Sequence, residues 1–164
     1  MTPEIEDLPT NNAVMPHTRS VILVVEDSAP DMTLLSRVFD TIGLDAEIIF
    51  ARDGDEALAV VDERFASDRP ERLDLILLDV SMPGLSGLET LQLMRARPHL
   101  RGLPIVMLTE SRLETDVLAA IDNGASGFAN KVATLPELHG LIRNIAHTWL
   151  PTSVRQPFSE AMAA

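Results

Sequence analysis

The sequence predicts an α/β protein with a doubly wound parallel sheet, covered by helices on both faces. Strand-sized apolar runs alternate five times with segments of helical periodicity, and helix-start signals follow most of these runs. Continuous apolar runs such as VILVV (21–25) are typical of strands buried on both faces. Right-handed crossovers between parallel strands then restrict the topology to a doubly wound sheet.

The first two strand–helix units are clearly delimited. The first strand is predicted at 21–25, and the helix after it begins at Ser28, a capping residue followed by an early proline and an acid. That helix ends near Gly43. The second strand is predicted at 47–51, and Asp53 with the glycine after it opens the second helix.

The third and fourth strands are the most apolar of the remaining segments. We predict them at 73–78 and 104–108. Between them, the Ser86–Glu89 spacing indicates a capping box that opens a helix reaching about Arg97.

Two further helices complete the pattern, separated by a short strand at 127–130. The fourth helix is marked by apolar residues at helical spacing, namely Leu113, Val117, Ala120 and Ile121. The last helix begins with the capping-box pattern of Thr134 and Glu137 and extends to Trp149.

The composition excludes several classes of function. The net charge is −12 and no basic run is present, so a nucleic-acid partner is not expected. Cysteine is absent, which excludes disulfides and thiol chemistry and fits a cytoplasmic location. No apolar run approaches the about 18 residues of a membrane span, and no signal peptide pattern is present. Residues 1–18 are predicted to be a flexible extension and 151–164 a tail, with no output domain.

Polar residues follow four of the predicted strands. Glu26 and Asp27 follow the first strand, Asp79 the third, Thr109 the fourth and Lys131 the fifth; Lys131 is the only lysine in the chain. Since function in doubly wound sheets lies at the carboxyl ends of the strands, we expect these side chains to lie together.

These residue types point to phosphoryl transfer. Clustered carboxylates repel each other unless a cation joins them, and Mg²⁺ with oxygen ligands fills that role. An aspartate can attack phosphorus to form an aspartyl phosphate, while an ammonium and a hydroxyl neutralise the phosphoryl oxygens.

Four segments together resemble the receiver domain of two-component response regulators. They are Glu26-Asp27, LLDVSMPG with Asp79, LTE with Thr109, and GASGFANK with Lys131, in matching order and spacing. The resemblance covers about residues 20–148, within a domain placed at 19–150. It implies a flavodoxin-like sheet of order 2-1-3-4-5 with five helices.

The resemblance also implies a role for each site residue. Asp79 accepts a phosphoryl group from a sensor histidine kinase or histidine phosphotransfer protein, and Thr109 and Lys131 assist. Thr109 and Phe128 form a switch pair. The protein is not an enzyme toward a separate substrate, although it assists its own Mg²⁺-dependent phosphorylation and dephosphorylation. The implied Mg²⁺ ligands are Glu26 through a water, Asp27, Asp79 and the Ser81 backbone carbonyl.

A finer resemblance connects the chain with the small regulators associated with bacterial phytochromes. It rests on VEDSAPD, SDRPER and RARPHLRGLPIVMLTES. It implies a phytochrome kinase as partner and a homodimer formed through the helix 4–strand 5–helix 5 face, with the C-terminal tail a candidate to take part. Output would then occur through protein contacts.

Two residues depart from the usual pattern of receivers. Val132 stands where most receivers have proline after the lysine, so we expect a trans peptide bond there. Glu110 follows the switch threonine, where most receivers have a small residue. These departures keep open a second hypothesis, a receiver-like binding module that works without phosphorylation. A phosphatase of another α/β family is less favoured, because Asp79-Val80-Ser81 lacks a second aspartate.

Overall fold

The computed structural model describes residues 19–68, 70–110 and 112–151, which form a five-stranded parallel sheet with helices on both faces. The strands are β1 (Ser20–Val25), β2 (Ala46–Ala51), β3 (Leu75–Asp79), β4 (Ile105–Thr109) and β5 (Gly127–Asn130). The helices are α1 (Ala29–Thr41), α2 (Gly54–Phe65), α3 (Gly87–Arg95), α4 (Glu114–Asp122) and α5 (Leu135–Trp149). The strand order β2-β1-β3-β4-β5 confirms the predicted fold class. The predicted N-terminal extension 1–18 lies outside the described residues, as does the predicted tail 151–164 from residue 152 onward.

The central strands of the sheet are more deeply buried than the edge strands. Every residue of the three central strands β1, β3 and β4 is buried, whereas the edge strands β2 and β5 are mostly half-buried. Strands with continuous apolar runs occupy the middle of the sheet, where both faces are covered. None of the helices in the described part of the chain has the length and apolar character needed to cross a bilayer.

Alternate residues of the central strands feed two separate hydrophobic clusters. Ile22 and Val24 of β1 point to the face covered by α1 and α5, where Val38 and Ile142 are buried. Leu23 of β1 points to the opposite face. On that face the buried helix residues are Ala57, Leu58 and Val61 of α2, Leu91 and Met94 of α3, and Ala120 of α4. Each fully buried Leu, Ile or Met side chain stabilises the fold by about 1.5–3 kcal/mol.

Side-chain caps fix the starts of four helices. Ser28, Asp53, Ser86 and Thr134 each accept a hydrogen bond from the backbone N–H three residues later. The reciprocal bonds of a full capping box are seen at Ser86, where Glu89 accepts from the Ser86 N–H. The box predicted at Thr134 shows the threonine half, with Thr134 Oγ1 accepting from the Glu137 N–H at 3.4 Å.

Two predicted boundaries are displaced by two residues. Helix α3 ends at Arg95 and not at Arg97, because Pro98 holds Arg97 in extended backbone (φ −83°, ψ 121°) and a 3₁₀ turn follows at Pro98–Leu100. Strand β3 begins at Leu75 and not at residue 73. Just ahead of it, Asp74 bonds to Val21 through both its carboxylate and its amide, at 2.8 and 2.9 Å.

Helix α4 is present as predicted, but all except one of its apolar residues are half-buried or exposed. Only Ala120 is buried, whereas Leu118 and Ile121 are exposed. Leu113, predicted to mark the helix, is its N-terminal boundary residue, is 64% exposed and makes no side-chain capping bond. Helical spacing predicted the helix correctly and gave no information about which of its sides is covered.

Candidate functional site

The carboxyl edge of the sheet gathers the polar residues that follow the strands. Asp79 and Thr109 are the last residues of β3 and β4, and Glu26 and Lys131 directly follow β1 and β5. The parallel register pairs Asp79 with Leu108 and Thr109 with Asn130, so these strand ends lie side by side. The strand order therefore brings the polar residues that follow the strands to one edge of the sheet, as predicted.

Lys131 connects the acidic residues of this edge. Its Nζ lies 2.7 Å from Glu26 Oε2, 3.1 Å from Asp79 Oδ2 and 3.3 Å from Asp31 Oδ2. The contact between Lys131 and Asp79 is expected, because both residues lie at the carboxyl ends of strands. The sequence did not predict Asp31 as part of this site, because an acid three residues after Ser28 is typical of a helix start.

Burial is the largest single influence on the pKa of both Glu26 and Lys131. The Glu26 side chain is 2% exposed, and this burial raises the pKa of Glu26 to about 7, with the nearby Asp79 charge adding to the rise. Burial alone would lower the pKa of Lys131, but its hydrogen bond to Glu26 and the charge of Asp79 outweigh that effect and raise it. Lys131 is therefore positively charged at neutral pH.

Three carboxylates form a site suited to a divalent cation. Oxygen atoms of Glu26, Asp27 and Asp79 all lie within 4.8 Å of one another. Glu26 and Asp79 are buried, whereas Asp27 is exposed and leaves the cluster open to solvent. A set of oxygen donors with one open side fits a hard divalent ion that keeps some of its waters. Positive charge would also relieve the repulsion among the carboxylates.

The loop after β3 shapes the surroundings of Asp79. The Ser81 N–H donates to Asp79 Oδ1 at 3.1 Å, and Gly84 turns the chain with a φ of +73°. Gly87 brings the start of α3 so close that a Cβ atom there would lie 2.1 Å from the Asp79 carbonyl oxygen. Backbone conformation and close packing therefore account for the two glycines of the segment 82–87. The predicted ligand role of the Ser81 carbonyl stays a prediction.

The two predicted switch residues differ in burial. Thr109 is 2% exposed at the end of β4. Phe128 in β5 is half-buried and packs against the cluster on the α2/α3 face. The ring therefore contributes to the core, and its role as a switch stays a prediction.

The two unusual residues, Glu110 and Val132, line one cavity beside the site. The cavity has a volume of about 340 Å³ and lies between α1, the end of β4 and the start of α5. Its other lining residues are Glu26, Asp31, Leu34, Leu35, Leu108, Lys131, Ala133, Leu138 and Leu141. The described chain contains no cis peptide bond, which confirms the trans bond expected before Val132.

Comparison with known proteins agrees with this geometry. The profile of the response regulator receiver domain matches residues 22–143. The chain is 36% identical over 132 residues to the response regulator Rcp1 of Synechocystis sp., and the alignment covers 80% of this chain and 90% of that protein.

Solved structures give the same result. The Mn²⁺-bound form of Rcp1 superposes with a TM-score of 0.70 at 36% identity, over 84% of this chain and 99% of that one. The phosphorylated cyanobacterial phytochrome response regulator RcpA superposes with a TM-score of 0.72 at 30% identity, over 82% of this chain and 100% of that one.

Proposed function

Because this chain belongs to the response regulator receiver domain family, we propose that Asp79 accepts a phosphoryl group from a histidine of a sensor kinase or phosphotransfer protein. The observation that carries this proposal is the contact of 3.1 Å between Asp79 Oδ2 and Lys131 Nζ at the carboxyl edge of the sheet. The Asp79 side chain is 5% exposed and lies in the Glu26–Asp27–Asp79 cluster. This arrangement places a nucleophile beside a fixed positive charge.

The chain's own residues account for most of the proposed reaction. A carboxylate oxygen of Asp79 forms a bond to phosphorus while the bond from phosphorus to the donor's imidazole nitrogen breaks, and the imidazole leaves with the electron pair. Lys131 donates to one phosphoryl oxygen and the Thr109 hydroxyl to another. Both residues lie at the carboxyl ends of β4 and β5 beside Asp79, so short side-chain rearrangements bring their donors to the phosphoryl oxygens.

Glu26, Asp27 and Asp79, with the Ser81 carbonyl, are the residues that would hold the metal, which we propose is Mg²⁺. Bound there, the ion would supply positive charge to the phosphoryl oxygens. Lys131 now bonds to two of these carboxylates, at 2.7 and 3.1 Å. When Glu26 and Asp79 bind a cation, Lys131 can turn from these two carboxylates toward the phosphoryl group.

We propose that phosphorylation changes the surface near β5 through Thr109 and Phe128. Thr109 lies at the end of β4, and Phe128 pairs with Met107 on the adjoining strand. A phosphoryl group on Asp79 would draw the Thr109 hydroxyl toward it and change the space next to the Phe128 ring. With Thr109→Ala we expect Asp79 to remain phosphorylated while hydrogen exchange in α4 no longer responds. A full response in that variant would refute the role of Thr109.

The proposed partners are a phytochrome-type histidine kinase and a second copy of the chain. Phosphorylated RcpA, a phytochrome response regulator, supports the first at 30% identity. Exposed Leu118 and Ile121 on α4, beside the edge strand β5, support a homodimer through the α4–β5–α5 face. The net charge of −12 argues against a nucleic-acid partner. A cytoplasmic location stays a prediction from composition.

The proposal is tested by incubating the protein with acetyl phosphate and Mg²⁺ and measuring the intact mass. We expect the mass gain of one phosphoryl group, and no gain either when the metal is chelated before acetyl phosphate is added or in Asp79→Asn. Asp55→Asn is the matched control, because Asp55 is an exposed aspartate in the first turn of α2, and it should gain the same mass as the unsubstituted chain. No mass gain, or an equal gain in Asp79→Asn, would overturn the proposal.

A partner-binding measurement separates this function from a binding module that works without phosphate. Beryllofluoride mimics the phosphoryl group on Asp79, so partner affinity should change when it is added to the unsubstituted chain and stay constant in Asp79→Asn. Equal affinity of the unsubstituted chain with and without beryllofluoride would favour the binding module.

A further inference from the structure

The ammonium of Lys131 has three N–H donors, and three carboxylates surround it. The distances from Nζ are 2.7 Å to Glu26, 3.1 Å to Asp79 and 3.3 Å to Asp31. Glu26 and Asp79 belong to the cluster suited to a divalent cation, whereas Asp31 does not. Asp31 is thus the partner that Lys131 would keep when the other two carboxylates bind a cation.

Asp31 is held in place by the start of α1. Its N–H donates to Ser28 Oγ at 3.4 Å, and the Ser28 N–H donates to Glu26 Oε1 at 3.1 Å. Glu26 Oε2 and Asp31 Oδ2 both accept from Lys131. These four residues form a closed ring of hydrogen bonds, so the position of the Asp31 carboxylate is coupled to the strand end that carries Glu26.

We propose that Asp31 is a positioning residue, which orients the ammonium of Lys131 toward the phosphoryl group on Asp79; this inference rests on the proposed function. One N–H engaged by Asp31 fixes the direction of the other two. The side chain of Asp31 is 36% exposed, so its interaction with Lys131 is partly screened by solvent. We therefore expect Asp31 to change the phosphorylation rate about fivefold, the upper range for an exposed ion pair.

The first test is a double-mutant cycle with Asp31→Asn and Lys131→Gln. The rate of phosphorylation by acetyl phosphate at saturating Mg²⁺ should fall about fivefold with Asp31→Asn in the unsubstituted background and stay the same in the Lys131→Gln background. Asp40→Asn is the matched control, because Asp40 lies exposed on the same helix, and it should leave the rate unchanged. Asp31→Glu, which keeps the charge, should recover most of the rate.

Three kinetic outcomes would overturn the inference. They are an unchanged rate in Asp31→Asn, an equal fold loss in both backgrounds, and an increase in the rate. An increase would mean that Asp31 acts by repelling the incoming phosphate and not by orienting Lys131. An equal loss would mean that it acts independently of Lys131.

A second measurement does not depend on phosphorylation. Because the chain has one lysine, ¹³Cε-lysine labelling gives a single side-chain signal that needs no assignment. In the metal-free protein this signal should shift in Asp31→Asn and stay in place in Asp40→Asn. If the unsubstituted chain is not phosphorylated but the signal shifts, the proposed function fails and the Asp31–Lys131 contact stands. If the signal does not shift, the inference fails whatever the outcome of the kinetic test.

Discussion

Helices α3 and α4 have the same length, nine residues, but are held in different ways. Helix α3 begins with the reciprocal Ser86–Glu89 capping box and buries four residues, Gly87, Thr90, Leu91 and Met94. Helix α4 begins after Leu113 without a side-chain capping bond and buries only Ala120. The contrast indicates that α3 is a fixed part of the scaffold, whereas the packing of α4 leaves its apolar surface available to a partner.

The end of α4 that lies away from the site is anchored to α3. Arg95 Nε donates to the Gly124 carbonyl at 2.7 Å, and Gln92 Nε2 donates to Asn123 Oδ1 at 2.6 Å. The other end of α4 follows Thr109 and Glu110 at the site, and it has no side-chain capping bond. The end of α4 that begins without a side-chain cap is thus the one next to the proposed phosphoryl group.

The largest expected difference between the two helices is the loss of stability when a leucine of each is shortened to alanine. Leu91→Ala in α3 should lower the free energy of unfolding by about 2–5 kcal/mol, because Leu91 is fully buried. Leu118→Ala in α4 should lower it by less than about 1 kcal/mol, because Leu118 is 51% exposed. Urea unfolding of both variants measures the difference. Equal losses would show that α4 is packed as tightly as α3.

Removing the link between the helices should have the next largest effect. Arg95→Met should lower the free energy of unfolding by about 1–3 kcal/mol, because the carbonyl oxygens of Leu103 and Gly124 each lose a donor. Hydrogen exchange at the end of α4 should also become faster than in the unsubstituted chain. Arg101→Met, at an exposed position, is the control. If exchange in α4 is unchanged, Arg95 does not anchor that helix.

Removing the side-chain cap of α3 and adding one to α4 should reduce the difference in stability between the two helices. Ser86→Ala removes the cap of α3 and should cost about 1 kcal/mol, whereas Leu113→Ser supplies a cap to α4 and should gain up to about 1 kcal/mol. Thermal unfolding of the two variants and of the double variant measures both effects. A loss of stability in Leu113→Ser would mean that the Leu113 side chain supports α4 through packing.

The smallest expected effect is at the exposed ion pair beyond the end of α3. Arg97 Nε and Nη2 lie 2.6 and 2.8 Å from the two carboxylate oxygens of Asp62, and this hydrogen bonding lowers the pKa of Asp62. The folded state therefore binds the Asp62 proton less readily than the unfolded state does.

Asp62→Asn should lower the free energy of unfolding by less than about 1 kcal/mol, because the pair is exposed and screened. The loss should be fully present above about pH 4 and disappear as the pH falls through the lowered pKa of the folded state. Unfolding curves at pH 7 and pH 3, with and without salt, measure it. A loss that grows at pH 3 would contradict this account.

The sequence determines much of the fold and of the site because both depend on periodicity and strand ends. Continuous apolar runs identified the buried strands, and the shared carboxyl edge brought Glu26, Asp79 and Lys131 together as predicted. The exposed surface of α4 was not predictable in this way, because Leu118 and Ile121 have the same hydrophobicity as core residues. Which side of a short helix is covered depends on packing that periodicity does not specify.

The contact of Asp31 with Lys131 was not predictable from the sequence for a related physical reason. An acid in the first turn of a helix already has a local explanation, since it interacts favourably with the helix dipole. Its contact with Lys131 joins residues 100 positions apart and depends on the direction in which the first turn of α1 faces. The helix dipole is enough to explain an acid at this position, so the sequence does not indicate a distant partner for Asp31.

The single lysine also has a chemical consequence. One ε-amine is present for acylating reagents or acetylating enzymes, and its side chain is 18% exposed. Against the effect of burial, its contacts with Glu26 and Asp79 raise the pKa of Lys131 and favour the protonated amine. A protonated amine is not nucleophilic, so acylation of Lys131 should be slow until the surrounding carboxylates release it. Its acylation rate would therefore report how far the site has opened. Acetylation at this one position would remove the positive charge that three carboxylates contact.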